Sequence, residues 1–323
     1  MQEPELARAT GDMRYESILD LIGGTPLVGV HALSPNPAVR IYAKLEGQNP
    51  GGSMKDRIAL RMVEAAEREG VLQPGDTILE PSSGNTGIGL ALVARMKGYR
   101  LRVVLPENVS EERRQMLEIF GAEVIPSPGE EGSNGAIRQA EKLAAEDSSL
   151  VMLFQYGNPA NPDAHYASTG PEILRDCPEL DVFVAGLGTT GTLMGVGRYL
   201  KEQKPDVRVV AVEPPAGELV QGLRSLEDGF VPPIFDPAVL DRKLIVRPRE
   251  SIEWTRRLLD ECGIFAGISS GAVMAGVGKM AATMDAGTIV ALVPDGGWKY
   301  LSSGAWTDDL DVVTERAQRI NYW

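Results

Sequence analysis

From Thr77 onward the sequence alternates short apolar stretches with longer stretches of helical period, and that alternation restricts the fold more than any other feature. The spacing predicts strands over 77–79, 101–105, 123–125, 151–155, 182–185, 207–212 and 288–293, with shorter apolar segments before them at 27–30 and 41–45. Helical patterns fall at 88–97, 111–120, 135–145, 193–202, 252–262 and 272–282, and a further one starts at Ile58. Strands separated by helices of this length pair in parallel and need helices on both faces, so the chain is α/β throughout. A length of 323 residues implies about two domains. The run Asn158-Pro159-Ala160-Asn161-Pro162 is the clearest internal break and reads as a hinge. The proline-rich stretch 214–249 has no clean period and reads as irregular covering structure.

One lysine stands out against this frame. In Asn49-Pro50-Gly51-Gly52-Ser53-Met54-Lys55-Asp56-Arg57 a turn-rich loop opens an amphipathic helix, and Ser53 with Asp56 has the spacing of a capping box. Lys55 therefore sits at the positive end of a helix dipole, where its ammonium form is disfavoured and burial lowers its pKa further. A neutral amine attacks carbonyls, so Lys55 is a candidate for a Schiff base with an aldehyde. The competing reading is a capped helix whose lysine points to solvent. A Walker A loop is excluded, because the lysine arrives too late after the glycines.

Three more loops lie where an apolar segment feeds a helix. In Pro81-Ser82-Ser83-Gly84-Asn85-Thr86-Gly87, hydroxyls, an amide and free backbone N–H groups suit a carboxylate, and a plain polar turn fits equally. The loop Gly186-Leu187-Gly188-Thr189-Thr190-Gly191-Thr192 satisfies G-x-G-x-x-G and is followed by a strand ending at Glu213, the dinucleotide-binding template. Its threonines also suit a phosphomonoester at a helix N-terminus. A phosphate cup, a dinucleotide site and a structural turn stay open, in that order. Gly267-Ile268-Ser269-Ser270-Gly271 matches the hydrolase nucleophile elbow, but the required histidine must follow the serine, and none occurs after His165. Ser269 is left as a helix N-cap or as a partner for a cofactor ring nitrogen.

Composition narrows the field. A net charge of −13 and no basic stripe argue against a nucleic-acid partner. No apolar run approaches a membrane span, which leaves a cytoplasmic enzyme or binding protein as the expectation. Cys177 and Cys262 form no metal-like pair, and two histidines, His31 and His165, leave little for a histidine metal site.

Together the loops resemble the cysteine synthase family, pyridoxal-phosphate enzymes that share a fold with tryptophan synthase β. The resemblance runs from Ile22-Gly23-Gly24-Thr25-Pro26-Leu27-Val28 through the Lys55 loop, Ser83-Gly84-Asn85-Thr86, Gln155-Tyr156-Gly157-Asn158-Pro159-Ala160-Asn161-Pro162 and Gly263 to Gly271. It implies that Lys55 carries pyridoxal 5′-phosphate as a Schiff base and that Asn85 hydrogen-bonds the pyridoxal hydroxyl. It implies further that Gly188, Thr189, Thr190, Gly191 and Thr192 hold the phosphate, and that Ser269 faces the pyridine nitrogen. Ser82, Ser83, Gly84, Thr86 and Gln155 are the implied site for the amino-acid carboxylate. A serine at the ring nitrogen holds no proton there, which weakens the electron sink and discourages transamination. The implied reaction is β-replacement of an activated serine, O-acetylserine or O-phosphoserine, by a sulfur nucleophile to give cysteine. A dehydratase of the same fold is the near alternative, and a dinucleotide-binding protein the distant one.

The same resemblance implies a homodimer with a larger cofactor-binding domain over 14–45 and 160–310, a smaller closing domain over 46–159, and a tail over 311–323. The segments 227–233 and 297–305 are similar to the actinobacterial cysteine synthase B branch, whose members use O-phosphoserine and a thiocarboxylated sulfur-carrier protein. In that branch an arginine beside the Glu-Pro pair receives the substrate phosphate, and here Pro215 holds that position. Its loss speaks against O-phosphoserine unless Arg224 compensates. The terminal Ile320-Asn321-Tyr322-Trp323 is read as a segment that folds over the active-site mouth.

Overall fold

A computed structural model describes residues 14–82 and 84–319, and shows two β-sheets covered by helices. Strands β1 (Leu27–Gly29), β2 (Val39–Leu45), β7 (Val182–Gly186), β8 (Arg208–Glu213), β9 (Arg242–Ile245) and β10 (Gly287–Val293) form a six-stranded sheet in the order β1-β2-β10-β7-β8-β9. Only β1 runs antiparallel, with Leu27 opposite Lys44. Strands β3 (Thr77–Pro81), β4 (Arg100–Pro106), β5 (Glu123–Ser127) and β6 (Leu150–Met152) form a wholly parallel four-stranded sheet in the order β5-β4-β3-β6. The helices are α1 (Lys55–Arg68), α2 (Asn85–Lys97), α3 (Glu111–Ile119), α4 (Gly132–Glu146), α5 (Ala160–Ala164), α6 (Gly170–Asp176), α7 (Gly191–Gln203), α8 (Pro248–Cys262), α9 (Ile268–Ala281) and α10 (Leu310–Arg319).

Each sheet carries its own core. Ile58, Met62, Ile78, Ile88, Val103 and Leu117 join α1, α2 and α3 to the smaller sheet. Val182, Val210, Val273, Val277 and Ile289 pack α9 under the larger one. The α9 helix is buried nearly all round and lies hard against α8. A Cβ on Gly271 would stand 2.0 Å from the Ser251 carbonyl oxygen, so only glycine permits that approach.

Three expectations need correction. The predicted capping box does not form, because Asp56 folds back over the loop and accepts from Gly51 N at 2.5 Å, while Ser53 Oγ accepts from Lys55 N at 3.2 Å. The predicted strand 151–155 ends at Met152. Beyond it Phe154 takes a positive φ of 56°, which turns the N–H groups of Phe154 and Gln155 onto Glu80, at 2.8 and 3.0 Å. The stretch 214–249 is not wholly irregular, since it contains β9, whose four residues Arg242-Lys243-Leu244-Ile245 are too few and too polar to read as a strand before β8 is there to pair with them. The break at 158–162 leads into a helical run from Ala160 to Asp176 that passes through one wider turn at His165–Thr169. Residue Ser83 and the terminal 320–323 lie outside the described residues.

Candidate active site

Strands β3, β7 and β10 all deliver their C-terminal ends to one cleft, the position at which open parallel sheets bind ligands. Lys55, Ser82, Gly84, Asn85, Thr86, Gln155, Gly188, Thr189, Thr190, Thr192 and Ser269 line it together, from five separate segments of the chain. Gly191 stands just behind this wall. A Cβ there would lie 1.9 Å from Asn161 Oδ1, so the close approach of the 186–192 loop to α5 requires glycine.

Lys55 opens α1, and its side chain reaches the cleft from a deeply enclosed position. Burial lowers its amine from the ordinary lysine range to about 8, with the nearby charge of Asp295 pulling the other way. The amine therefore becomes neutral, and nucleophilic, near physiological pH. In the cofactor-free protein the rate at which it captures an aldehyde should rise with pH through a midpoint near 8. A stopped-flow pH profile checks this, and a midpoint near the 10.4 of a free lysine would refute it.

The 186–192 loop ends at the N-terminus of the 13-residue helix α7. Thr190 sits in the left-handed region with φ 71°, and its buried hydroxyl has no hydrogen-bond partner among the described residues. A buried hydroxyl without a partner is costly. Beside the free N–H groups of a helix start, it fits an anionic phosphate ester. The neighbouring Thr192 Oγ1 is held by His165 Nε2 at 3.1 Å, while His165 Nδ1 meets Thr169 Oγ1 at 2.9 Å. Burial, then the charges of Arg57 and Lys55, push the His165 pKa well below its usual value, so the ring is a neutral brace.

On the other side of the cleft Ser82 Oγ accepts from the N–H groups of Gly84 and Gly87, at 3.2 and 3.0 Å, and so shapes the turn into α2. Thr86 Oγ1 donates to Gln155 Oε1 at 2.5 Å. Asn161 Nδ2 donates to the Gln155 carbonyl at 2.8 Å and to Thr189 Oγ1 at 3.1 Å, tying the two candidate binding loops to each other. Ser269, in the first turn of α9, is 4% exposed and borders the cleft opposite the α7 loop.

Sequence reasoning missed several participants. Arg113 also lines the cleft, as does Arg224, which the sequence had raised only as a stand-in for the arginine missing at Pro215. The Arg113 guanidinium stacks 4.7 Å from the Tyr300 ring centroid, and that of Arg224 4.6 Å from the Phe230 ring. Arg113 lay on an ordinary amphipathic helix and gave no signal. Glu80, which holds the Gln155 backbone, is raised to about 8 by burial against the opposing N–H donors. Asn161 could have been suspected from its place in the Asn-Pro run, had that run not been read as a hinge. Glu213, the acid of the dinucleotide template, is committed to Lys243 at 2.6 Å and to Leu226 N at 3.2 Å. It is not available to a ribose, which removes that alternative's specific partner.

A family profile described as PALP, pyridoxal-phosphate dependent enzyme, matches residues 18–295. The chain is therefore a pyridoxal-phosphate dependent enzyme. The cysteine synthase of Staphylococcus aureus (strain Mu50 / ATCC 700699) is 44% identical over 304 residues, covering 91% of this chain and 98% of the relative. Among solved structures, that of O-ureido-L-serine synthase superposes with a TM-score of 0.86 at 42% identity, covering 91% of this chain and 95% of the other. The cysteine synthase of Entamoeba histolytica superposes with a TM-score of 0.85 at 34% identity, covering 95% and 96%. Within its class the chain belongs to the cysteine synthase family.

Proposed function

We propose that this protein replaces the β-substituent of an activated serine with sulfur, giving L-cysteine, and that the cleft described above is where it does so. The observation that carries the reading is the meeting of a lysine amine of lowered pKa, an anion-ready helix start with the unpartnered Thr190 hydroxyl, and the Ser82–Thr86 turn in a single cleft. Gly188, Thr189, Thr190, Gly191 and Thr192 hold the cofactor phosphate, Asn85 and Ser269 its ring, and Lys55 its aldehyde carbon. When bound, pyridoxal phosphate supplies the electron sink that lets the α-proton and then the β-substituent depart. Ser82, Ser83, Gly84, Thr86 and Gln155 receive the substrate carboxylate. Lys55 Nζ, at the same end of the site, would be the base that takes the substrate's α-proton. Residues 46–159, built on the smaller sheet, close over the larger unit and keep water from the reacting carbon.

Sulfide, or the thiocarboxylate of a carrier protein, is the incoming nucleophile. Purified protein supplied with O-acetylserine and sulfide should form cysteine; pyruvate as the main product would assign it to the dehydratases instead.

The donor is decided by cations. Pro215 supplies none, but Arg224 lines the cleft, 6% exposed, braced by Tyr156, Phe230 and an Asn134 Oδ1 contact of 3.2 Å. A fixed guanidinium there favours an anionic β-substituent, which supports O-phosphoserine as a donor alongside O-acetylserine. Arg224→Gln should raise KM for O-phosphoserine by about tenfold or more, as loss of a charge-assisted hydrogen bond requires, and change that for O-acetylserine little. Equal effects on both donors would make Arg224 a packing residue only.

A further inference from the structure

Asn85 is gripped from both ends. Its Nδ2 donates to Asp295 Oδ2 at 2.8 Å, and its Oδ1 accepts from Lys299 Nζ at 2.6 Å. Flipping the amide would set N–H against ammonium and carbonyl oxygen against carboxylate, so one orientation is strongly selected. The two clamping groups are fixed in turn. Tyr300 Oη donates to the same Asp295 Oδ2 at 2.6 Å, and Lys299 Nζ also reaches the Gly52 carbonyl at 3.0 Å. Asp295 is 1% exposed and Lys299 fully buried.

The grip also spans the molecule. Asp295 and Lys299 follow β10 of the larger sheet, whereas Asn85 opens α2 beside the smaller one, and Gly52 belongs to the loop that carries Lys55. A second set of contacts reinforces the same seam: Ser110 Oγ donates to the Lys299 carbonyl at 3.0 Å, and Glu112 accepts from Ser302 N and Oγ at 2.7 and 2.8 Å. Here the amide is what the two charges share.

We propose that Asp295 and Lys299 are positioning residues that fix the amide of Asn85, leaving one of its N–H groups as the donor offered to the bound cofactor's ring oxygen. The inference rests on the cofactor reading given above. With one amide hydrogen committed to Asp295, the other is the donor left to the cleft, and it stabilises the ring oxygen in its deprotonated form.

A double-mutant cycle on the full chain tests this. The readouts are the dissociation constant of pyridoxal phosphate, from titration of the cofactor-free protein, and the pH-dependent visible absorption of the holoenzyme. Lys299→Met should weaken cofactor binding by about tenfold or more and alter the absorption, with Lys299→Arg recovering part of both. In an Asn85→Ala background the same change should have little further effect. Should Lys299→Met not fold, Asp295→Asn, which keeps shape and volume, carries the same cycle. Equal effects in both backgrounds, or variants that differ from the native protein only in urea midpoint, would overturn the proposal and leave a structural clasp. A native protein without visible absorption would sink the cofactor reading first, and this inference with it.

Discussion

Lys55→Ala should yield a folded protein that stays colourless with pyridoxal phosphate and forms cysteine at least about a thousandfold more slowly. The size of the effect follows from the double duty of one amine, which holds the cofactor and then takes the α-proton. Little in the packing depends on its Nζ, whereas the backbone N–H of Lys55 keeps its Ser53 Oγ partner in the variant. Circular dichroism and a urea midpoint close to native would show that the fold survives. Borohydride treatment of the native holoenzyme followed by peptide mapping should place the label on Lys55 and on no other lysine. Lys299 makes this a demanding control, because burial also lowers its amine to about 8, against the charges of Asp295 and Asp56. Its Nζ, however, is spent on Asn85 and Gly52. Retained colour and turnover in Lys55→Ala would overturn the mechanism.

Arg57→Met should cost about 3–5 kcal/mol of unfolding free energy, the range for removing one partner of a buried ion pair. Two residues beyond Lys55, the Arg57 guanidinium bridges two carboxylates. It meets Glu46 at 2.7 and 2.8 Å and Glu172 at 2.8 Å through both terminal nitrogens, and Lys44 completes the cluster at 2.7 Å from Glu172. Glu46 is fully buried, so the variant would strand its charge. The same cluster sets a pH signature. Burial alone would raise the Glu172 carboxyl, but hydrogen bonds and charge from Arg57, then Lys44, hold it well below the usual carboxylate range. A depressed folded pKa contributes stability at pH values above the unfolded value, about 4.3, and loses it as pH falls toward the folded one. Urea titrations at pH 7 and at pH 4 should therefore show a smaller penalty for Arg57→Met at the lower pH. A penalty under 1 kcal/mol at pH 7 would mean that water or a rearranged Lys44 replaces the guanidinium. Because α1 begins at Lys55, loosening this anchor should also lower the affinity for pyridoxal phosphate.

Much of this was legible in the amino-acid order. The strand and helix alternation gave the parallel sheets, since period and length are local properties of the chain. The glycine- and hydroxyl-rich loops announced binding sites, because helix starts with small residues leave N–H groups uncovered whatever surrounds them. Even the lowered pKa of Lys55 was foreseeable in direction from its place at a helix N-terminus, although burial turned out to be the dominant cause.

What the order of residues could not contain was partnership over distance. Asp56 left the capping box for Gly51 N, and β9 became a strand only because β8 offered it an edge. Phe154 accepts a left-handed backbone because buried Glu80, 74 residues earlier, receives its N–H. Asn85 acquired its orientation from Lys299, 214 residues away. The sequence determined by itself most of the strands, the long amphipathic helices and the ligand loops, because those follow from neighbours a few residues apart. The tertiary structure alone decided which buried charges meet around the cleft, because the energy of a buried polar group depends on whether a partner arrives from elsewhere in the chain.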